Sequence, residues 1–312
     1  MHIFITGGTG LIGSTLIRTL MAQGQHSLTV LTRNIAKASR KLGNDIKYCT
    51  SLDSMESLDE YDAVINLAGE PLQKKYWSES QKDKLCKSRW ETTRKLAKLI
   101  KAGENPPSVF ISGSAVGFYG AHNDETLTEA SYPHDEFTYR LCSKWEAIAL
   151  SAASEKTRVC IVRTGIVLAE TGGMLPMIAI PFKIGFGSAL GSGKQYISWI
   201  HIQDMIDGII YLLTLREAKG VFNFTSPNPV TNKRFSRVLA RTLYRPCVFR
   251  IPKFLIKAVL GEAATMLIDG QRVMPQHLLD LHFRFTFEHL DDALLDLFIK
   301  KNAIPQQAGT AH

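Results

Sequence analysis

Residues 2–24, "HIFITGGTGLIGSTLIRTLMAQG", constrain the fold more than any other part of the chain. "HIFIT" is an apolar run too short for a helix, so it reads as a buried strand. Gly7, Gly10 and Gly13 follow at intervals of three, and "STLIRTLMAQG" carries a helical pattern that stops at Gly24. Each glycine has its own task in such a strand–turn–helix. Gly7 permits the tight turn, Gly10 lets a pyrophosphate approach the backbone, and Gly13 lets the helix pack closely on the strand. The helix N-terminus adds free N–H groups and a partial positive charge. Thr6, Leu11 and Ile12, interleaved with these glycines, are expected at the same phosphate site.

The pattern recurs along the chain. "SLTVLT", "YDAVINLAG", "PSVFISGSA" and "VCIVRTGIVLA" are strand signals separated by helical ones, including a long helix from about Ser78 to Ala102. Such alternation specifies βαβ units with right-handed crossovers: an α/β fold, Rossmann-like, with a doubly wound parallel sheet. Residues 1–170 form this unit. Beyond it, "TGGMLPMIAIPFKIGFGSALGSGKQY" is rich in Gly and Pro, and "SWIHIQDMIDGIIYLLTL" reads as strand and helix. The last eighty residues read as helical, with a short strand at "RFTF". Residues 171–312 are thus expected to form mostly a smaller C-terminal lobe on the substrate side, some segments returning to the sheet. "SALGSGKQ" is not a P-loop, because Ser188 stands where glycine is needed and Gln195 replaces Ser/Thr after the lysine. It reads as a loop over the substrate side.

At 312 residues, 45% hydrophobic and 21% charged, the chain has the composition of a globular protein. No apolar run reaches the 18 residues of a membrane span, and "MHIFITGG" lacks the marks of a signal peptide. Five cysteines without CxxC spacing suggest neither zinc nor a disulfide frame, so a cytoplasmic protein with reduced thiols and no metal is expected. The net charge of +8 is spread along the chain and comes with no nucleic-acid motif. Phosphorylated ligands are the milder use of such charge.

The second strand ends at "LTRN". A fold of this kind that prefers NAD places an acidic residue here to hold the ribose hydroxyls. Thr32 and Arg33 occupy the position instead, and an arginine matches a 2′-phosphate by bidentate hydrogen bonds. The expected cofactor is NADP(H).

With "INLAG" and "ISGSAVGFYG" after their strands, the chain resembles the short-chain dehydrogenase/reductase superfamily in its extended, epimerase-like branch. "NLAGEPL", "YWSESQKDKLCKSRWETT", "LCSKWEA", "VRTGIVLAETGGML" and "GSGKQYISWIHIQD" narrow the resemblance to atypical epimerase-family proteins of the YfcH type. The resemblance implies further cofactor contacts at Leu67, Ala68, Gly69, Arg89 and Ser112, with Ser114 at the superfamily's catalytic serine position. Glu70, after the "NLAG" turn, is a candidate acid or base beside it. The superfamily pairs its serine with a Tyr and a Lys four residues apart, one helical face. Here Tyr139 and Lys144 are five apart, about 140° around a regular helix. Aligning Glu146 of "KWEA" with the glutamate that commonly follows the lysine puts Thr138 and Cys142 in the two positions, and neither can do that work.

Tyr119, Trp77 and Trp199 read as packing residues, and His201 and Asp204 as structure at a helix start. Two functions follow from the resemblance. One is an NADP-dependent oxidoreductase or epimerase on a small molecule, with an unconventional acid/base such as water held by Ser114 with Glu70 or Tyr139. The other is a non-catalytic NADP(H)-binding regulatory or partner-binding protein, some relatives carrying a cell-division label. Superfamily members often form homodimers through two long helices; neither membrane nor nucleic-acid partners are expected.

Overall fold

The computed structural model describes residues 1–71 and 77–299. Seven parallel strands form the central sheet: β1 (His2–Thr6), β2 (Ser27–Leu31), β3 (Lys47–Cys49), β4 (Ala63–Asn66), β5 (Val109–Ala115), β6 (Arg158–Thr164) and β7 (Gly220–Phe224). Their order is β7-β6-β5-β4-β1-β2-β3. The order reverses beside β1, which is where a doubly wound sheet opens a crevice at its C-terminal edge.

Helices α1 (Leu11–Gln23), α2 (Ile35–Leu42), α3 (Glu79–Ala102), α4 (Phe137–Leu150) and α5 (Ile202–Thr214) flank the sheet. Alternation along β1 divides the packing. Ile3 and Ile5 face Leu16, Ile17, Ile206 and Ile209 of α1 and α5, while Phe4 faces Leu96 and Ile100 of α3. Both faces are covered, so the central strands are continuous apolar runs. Ser78 caps α3 by accepting from the Gln81 N–H, as its sequence foretells.

Residues beyond 170 contribute β7, α5 and the Leu278, Phe283 and Phe285 side chains to this layer structure, and others pack into a separate cluster, called the lobe below. The lobe holds helices Leu175–Lys183, Asn232–Thr242 and Leu290–Phe298 around Leu168, Phe182, Trp199, Phe235 and Leu294. The "SALGSGKQ" segment is strand at its start: Gly187–Leu190 pairs in parallel with Cys247–Ile251, a strand in a region that reads as helical. "RFTF" forms no strand. The Thr286 and Phe287 N–H groups donate to the Asp204 carboxylate (2.6 and 3.0 Å), which replaces a neighbouring strand as their acceptor. Asp204 therefore pins the C-terminal segment to α5, a role its place at a helix start does not reveal.

Burial pushes the Asp204 carboxyl up to about 6, against the pull of its two N–H donors. In the unfolded chain it ionises near its ordinary 3.8. As pH rises through the interval between these values the unfolded state loses its proton first, so stability falls; above it the effect is constant. Thermal melts of wild type and Asp204→Asn from pH 4 to 8 should show wild type losing its relative advantage between about pH 4 and 6. A difference that stays flat across that window would show that Asp204 titrates normally.

Candidate functional site

The register of the sheet brings the sequence-predicted residues to one edge. Thr6 pairs with Leu31 and Asn66, Asn66 with Ser112, and Ser114 with Arg163. The glycine turn, Thr32–Arg33 and the Leu67–Gly69 segment thus follow strands β1, β2 and β4, and Ser114 lies in the C-terminal end of β5.

The glycine turn is a cradle built by close approach. Gly7 has φ +71°, and a Cβ on it would lie 2.3 Å from the Leu67 carbonyl oxygen. A Cβ on Gly13 would lie 2.4 Å from the Gly7 oxygen, so α1 starts against the turn itself. Gly10 differs: its Cβ would meet only the Gly7 oxygen, at 3.2 Å. Gly10 is also the N-cap of α1, with no side-chain cap and no acidic residue in the first turn. By contrast Asn34, Ser78 and Thr231 cap their helices with side-chain oxygens. The first-turn N–H groups of α1, from Leu11, Ile12 and Gly13, have a helix's usual need for acceptors, and no side chain of the N-cap answers it. A phosphate suits such a place. Lys41 reaches over the turn to the Thr9 carbonyl (2.7 Å), and Gly173, at the start of the lobe, closes on Leu11. Arg33 is exposed just before Asn34, which caps α2.

Two rows of polar groups lie behind this edge. In the first, Thr6 Oγ1 donates to Asn66 Oδ1 (2.7 Å) and accepts from the Ala68 N–H (3.2 Å). Asn66 Nδ2 donates to Thr93 Oγ1 (2.8 Å) and Ser112 Oγ (3.3 Å). Thr6, Asn66 and Ser112 are fully buried, so the side chains of Thr6 and Ser112 shape the turns from within. Arg89 is buried beneath Gly69, donating to the Leu85 and Glu70 carbonyls (both 3.0 Å) with its guanidinium over Trp145. Burial lowers its pKa. The Glu70 N–H donates to Ser88 Oγ (3.0 Å), which fixes the turn where Glu70 sits half-buried.

The second row carries the charge. Ser114 Oγ donates to Glu146 Oε1 (2.5 Å), and Arg163 grips the same carboxylate through Nε (2.9 Å) and Nη2 (2.8 Å). Arg163 Nη1 donates to the Tyr119 hydroxyl (3.0 Å), which donates to Asn223 Oδ1 (2.7 Å). Burial opposes the charge on Arg163, but the Glu146 carboxylate outweighs it and raises the pKa. Burial drives Tyr119 up to about 12, so its phenol stays protonated.

Along α4 the buried face runs through Cys142 and Glu146, with Thr138 against Gly117. Lys144 is exposed and lies over Trp90, whereas Tyr139 packs edge-on against Phe118, 5.4 Å between centroids. Tyr139 and Lys144 therefore diverge. Cys142 lies against Ser114 and the Ala115 backbone, and burial pushes its thiol to about 12. A neutral thiol stands where a lysine would supply charge.

Glu146, Arg163 and Asn223 carry the second row, and sequence reading assigned them no role; Tyr119 reads as packing but is a link in it. One signal was present: Asn66 ends a buried apolar run, and Arg163 and Asn223 each follow one within a strand. A polar group there must have a partner.

A model of the NAD dependent epimerase/dehydratase family matches residues 3–224, and a domain of unknown function, DUF1731, matches residues 251–297. An epimerase family protein of Staphylococcus saprophyticus is 37% identical, the match covering 95% of this chain and 99% of that protein. The human epimerase family protein SDR39U1, whose crystal structure contains NADPH, matches with a TM-score of 0.87 at 32% identity, over 95% of this chain and 99% of that one. UDP-glucuronic acid 4-epimerase from Bacillus cereus, at 17% identity and a TM-score of 0.76 over 96% and 98% of the two chains, shares the fold.

The Glu146–Arg163 pair, each side chain 5% exposed, sets a stability test. Glu146→Ala should cost about 3–5 kcal/mol, because Arg163 is left buried without its counter-charge. Combining Glu146→Leu with Arg163→Met should recover much of that loss. Urea denaturation of the single and double variants measures the coupling; strictly additive losses would mean the two charges do not depend on each other.

Proposed function

We propose that this chain, which belongs to the NAD dependent epimerase/dehydratase family, binds NADP(H) and acts as an oxidoreductase or epimerase on a small molecule without the usual Tyr/Lys pair. The observation that carries the cofactor reading is the α1 N-terminus: without a side-chain cap, free of acidic side chains in its first turn, and held against a glycine turn where a Cβ on Gly10 would meet only the Gly7 oxygen. The diphosphate would rest on the Leu11, Ile12 and Gly13 N–H groups. Arg33, with Thr32, would take the 2′-phosphate, and the Leu67–Gly69 turn above Arg89 would pass along the dinucleotide. NADPH in the human relative's structure supports the same cofactor. When bound, the nicotinamide supplies or accepts hydride; the chain supplies position and hydrogen bonds at Ser114.

One observation favours a second reading, a non-catalytic NADP(H)-binding regulatory protein. Thr138 and the neutral Cys142 thiol occupy the α4 face where proton transfer would be organised, and Lys144 turns away from it. Glu70 is the acid or base that would preserve catalysis, set by its Ser88 contact at the edge of the cleft. Turnover of NADPH that disappears in Glu70→Gln, with binding retained, would decide for an enzyme.

Calorimetry with NADPH and NADH should show tighter binding of NADPH, and Arg33→Ala should remove about ten- to hundredfold of the preference. Equal affinities in the wild type would refute a 2′-phosphate site. Gly10→Val should keep the fold, since only one atom lies near its Cβ, yet lose NADPH binding. Retained binding in that variant would reduce the glycine run to a turn.

A further inference from the structure

Resting on the reading of the β5–α4 edge as the ligand site, we propose that Ser114 offers the cleft hydrogen-bond acceptors only. The ligand group it recognises is then a donor, a hydroxyl, and not a carbonyl oxygen.

A serine hydroxyl has one proton to donate and two lone pairs to accept with. Ser114 Oγ lies 2.5 Å from Glu146 Oε1, and that carboxylate already takes two hydrogen bonds from Arg163. An ionised carboxylate has no proton to give back, so the Ser114 proton occupies this contact. Hydrogen bonds to an ionised acceptor are roughly twice as strong as neutral ones. A neutral ligand carbonyl therefore cannot draw the proton away. The Tyr119 hydroxyl is committed in the same sense, donating to Asn223 and accepting from Arg163. Cys142, the other group against Ser114, is a neutral thiol and competes only weakly. The Ser114 lone pairs are what remains for a ligand, and Ser114 is 5% exposed. Ser114 is thus a specificity residue, oriented by Glu146 and Arg163.

The test uses the full chain and matched probe pairs, cyclopentanol with cyclopentanone and cyclohexanol with cyclohexanone, titrated by ligand-observed NMR. Calorimetry with NADPH on the same preparation reports the cofactor reading separately. Alcohols should bind about three- to tenfold more tightly than their ketones, the span of one neutral hydrogen bond. Ser114→Ala should abolish that preference while Tyr139→Phe keeps it. Glu146→Gln, whose amide can donate to Ser114 and free its proton, should shift the preference toward ketones. Ser114→Ala tests the claim even where Glu146→Gln does not fold. Ketones binding as well as alcohols, no probe binding to a chain that binds NADPH, or a preference surviving in Ser114→Ala would each overturn the inference. Failure of NADPH itself to bind would instead remove the cofactor reading.

Discussion

Everything at the sheet's C-terminal edge depends on how closely the backbone of the first turn approaches its neighbours. The β1–β4 register sets Thr6 beside Asn66, and the two strands then turn outward against each other with Gly7 on Leu67. No side chain fits between them. The Thr6 hydroxyl ties the second turn to the first strand by receiving the Ala68 N–H, and Asn66 fixes that hydroxyl. Helix α1 then begins on top of the turn, because Gly13 permits it, and its first-turn N–H groups receive no side-chain cap from Gly10. A helix dipole and a set of backbone donors are thereby placed before any ligand arrives, which spares the cost of organising them on binding.

Beside this preorganised edge the chain has exchanged one electrostatic arrangement for another. A Tyr/Lys pair keeps a titrating group facing the ligand. Here the cation is Arg163, on a strand and buried, and its counter-charge is Glu146 on α4. Arginine keeps its proton in such a place where lysine readily loses it. The Arg163 charge is engaged by Glu146 and Tyr119 inside the protein, so the pair orients the Ser114 hydroxyl and leaves no free cation of its own beside it. A pair of this kind is costly to break and contributes little net stability, which fits a role in orientation.

The parts legible in the sequence are those specified by local chemistry. The glycine turn, the Ser78 cap, the alternating strands and helices and the divergence of Tyr139 from Lys144 each follow from residues near one another in the chain. The parts that were not legible rest on distant partners. Arg163 and Glu146 are 17 residues apart and on different elements, and Tyr119 and Asn223 are separated by 104. A single sequence shows that Arg163 follows an apolar run but not which group repays its burial. "RFTF" is the reverse case: its alternating pattern asks for backbone acceptors, and a carboxylate 82 residues away supplies them without a strand.

The C-terminal segment, matched by a family model of its own, is hydrogen-bonded to the row of polar groups behind Ser114. Asn223, which receives the Tyr119 hydrogen bond, donates through Nδ2 to the Met274 carbonyl (2.9 Å), and its N–H donates to Glu129 (2.9 Å). The same Glu129 oxygen receives the His277 N–H, and burial raises this carboxyl's pKa. Gln271 donates to the Gly120 carbonyl (2.7 Å), next to Tyr119. The line of contacts from Ser114 through Glu146, Arg163, Tyr119 and Asn223 therefore ends on residues 271–277. The segment of unknown function and Ser114 are thus joined by one line of hydrogen bonds that crosses from α4 through β6 and β7.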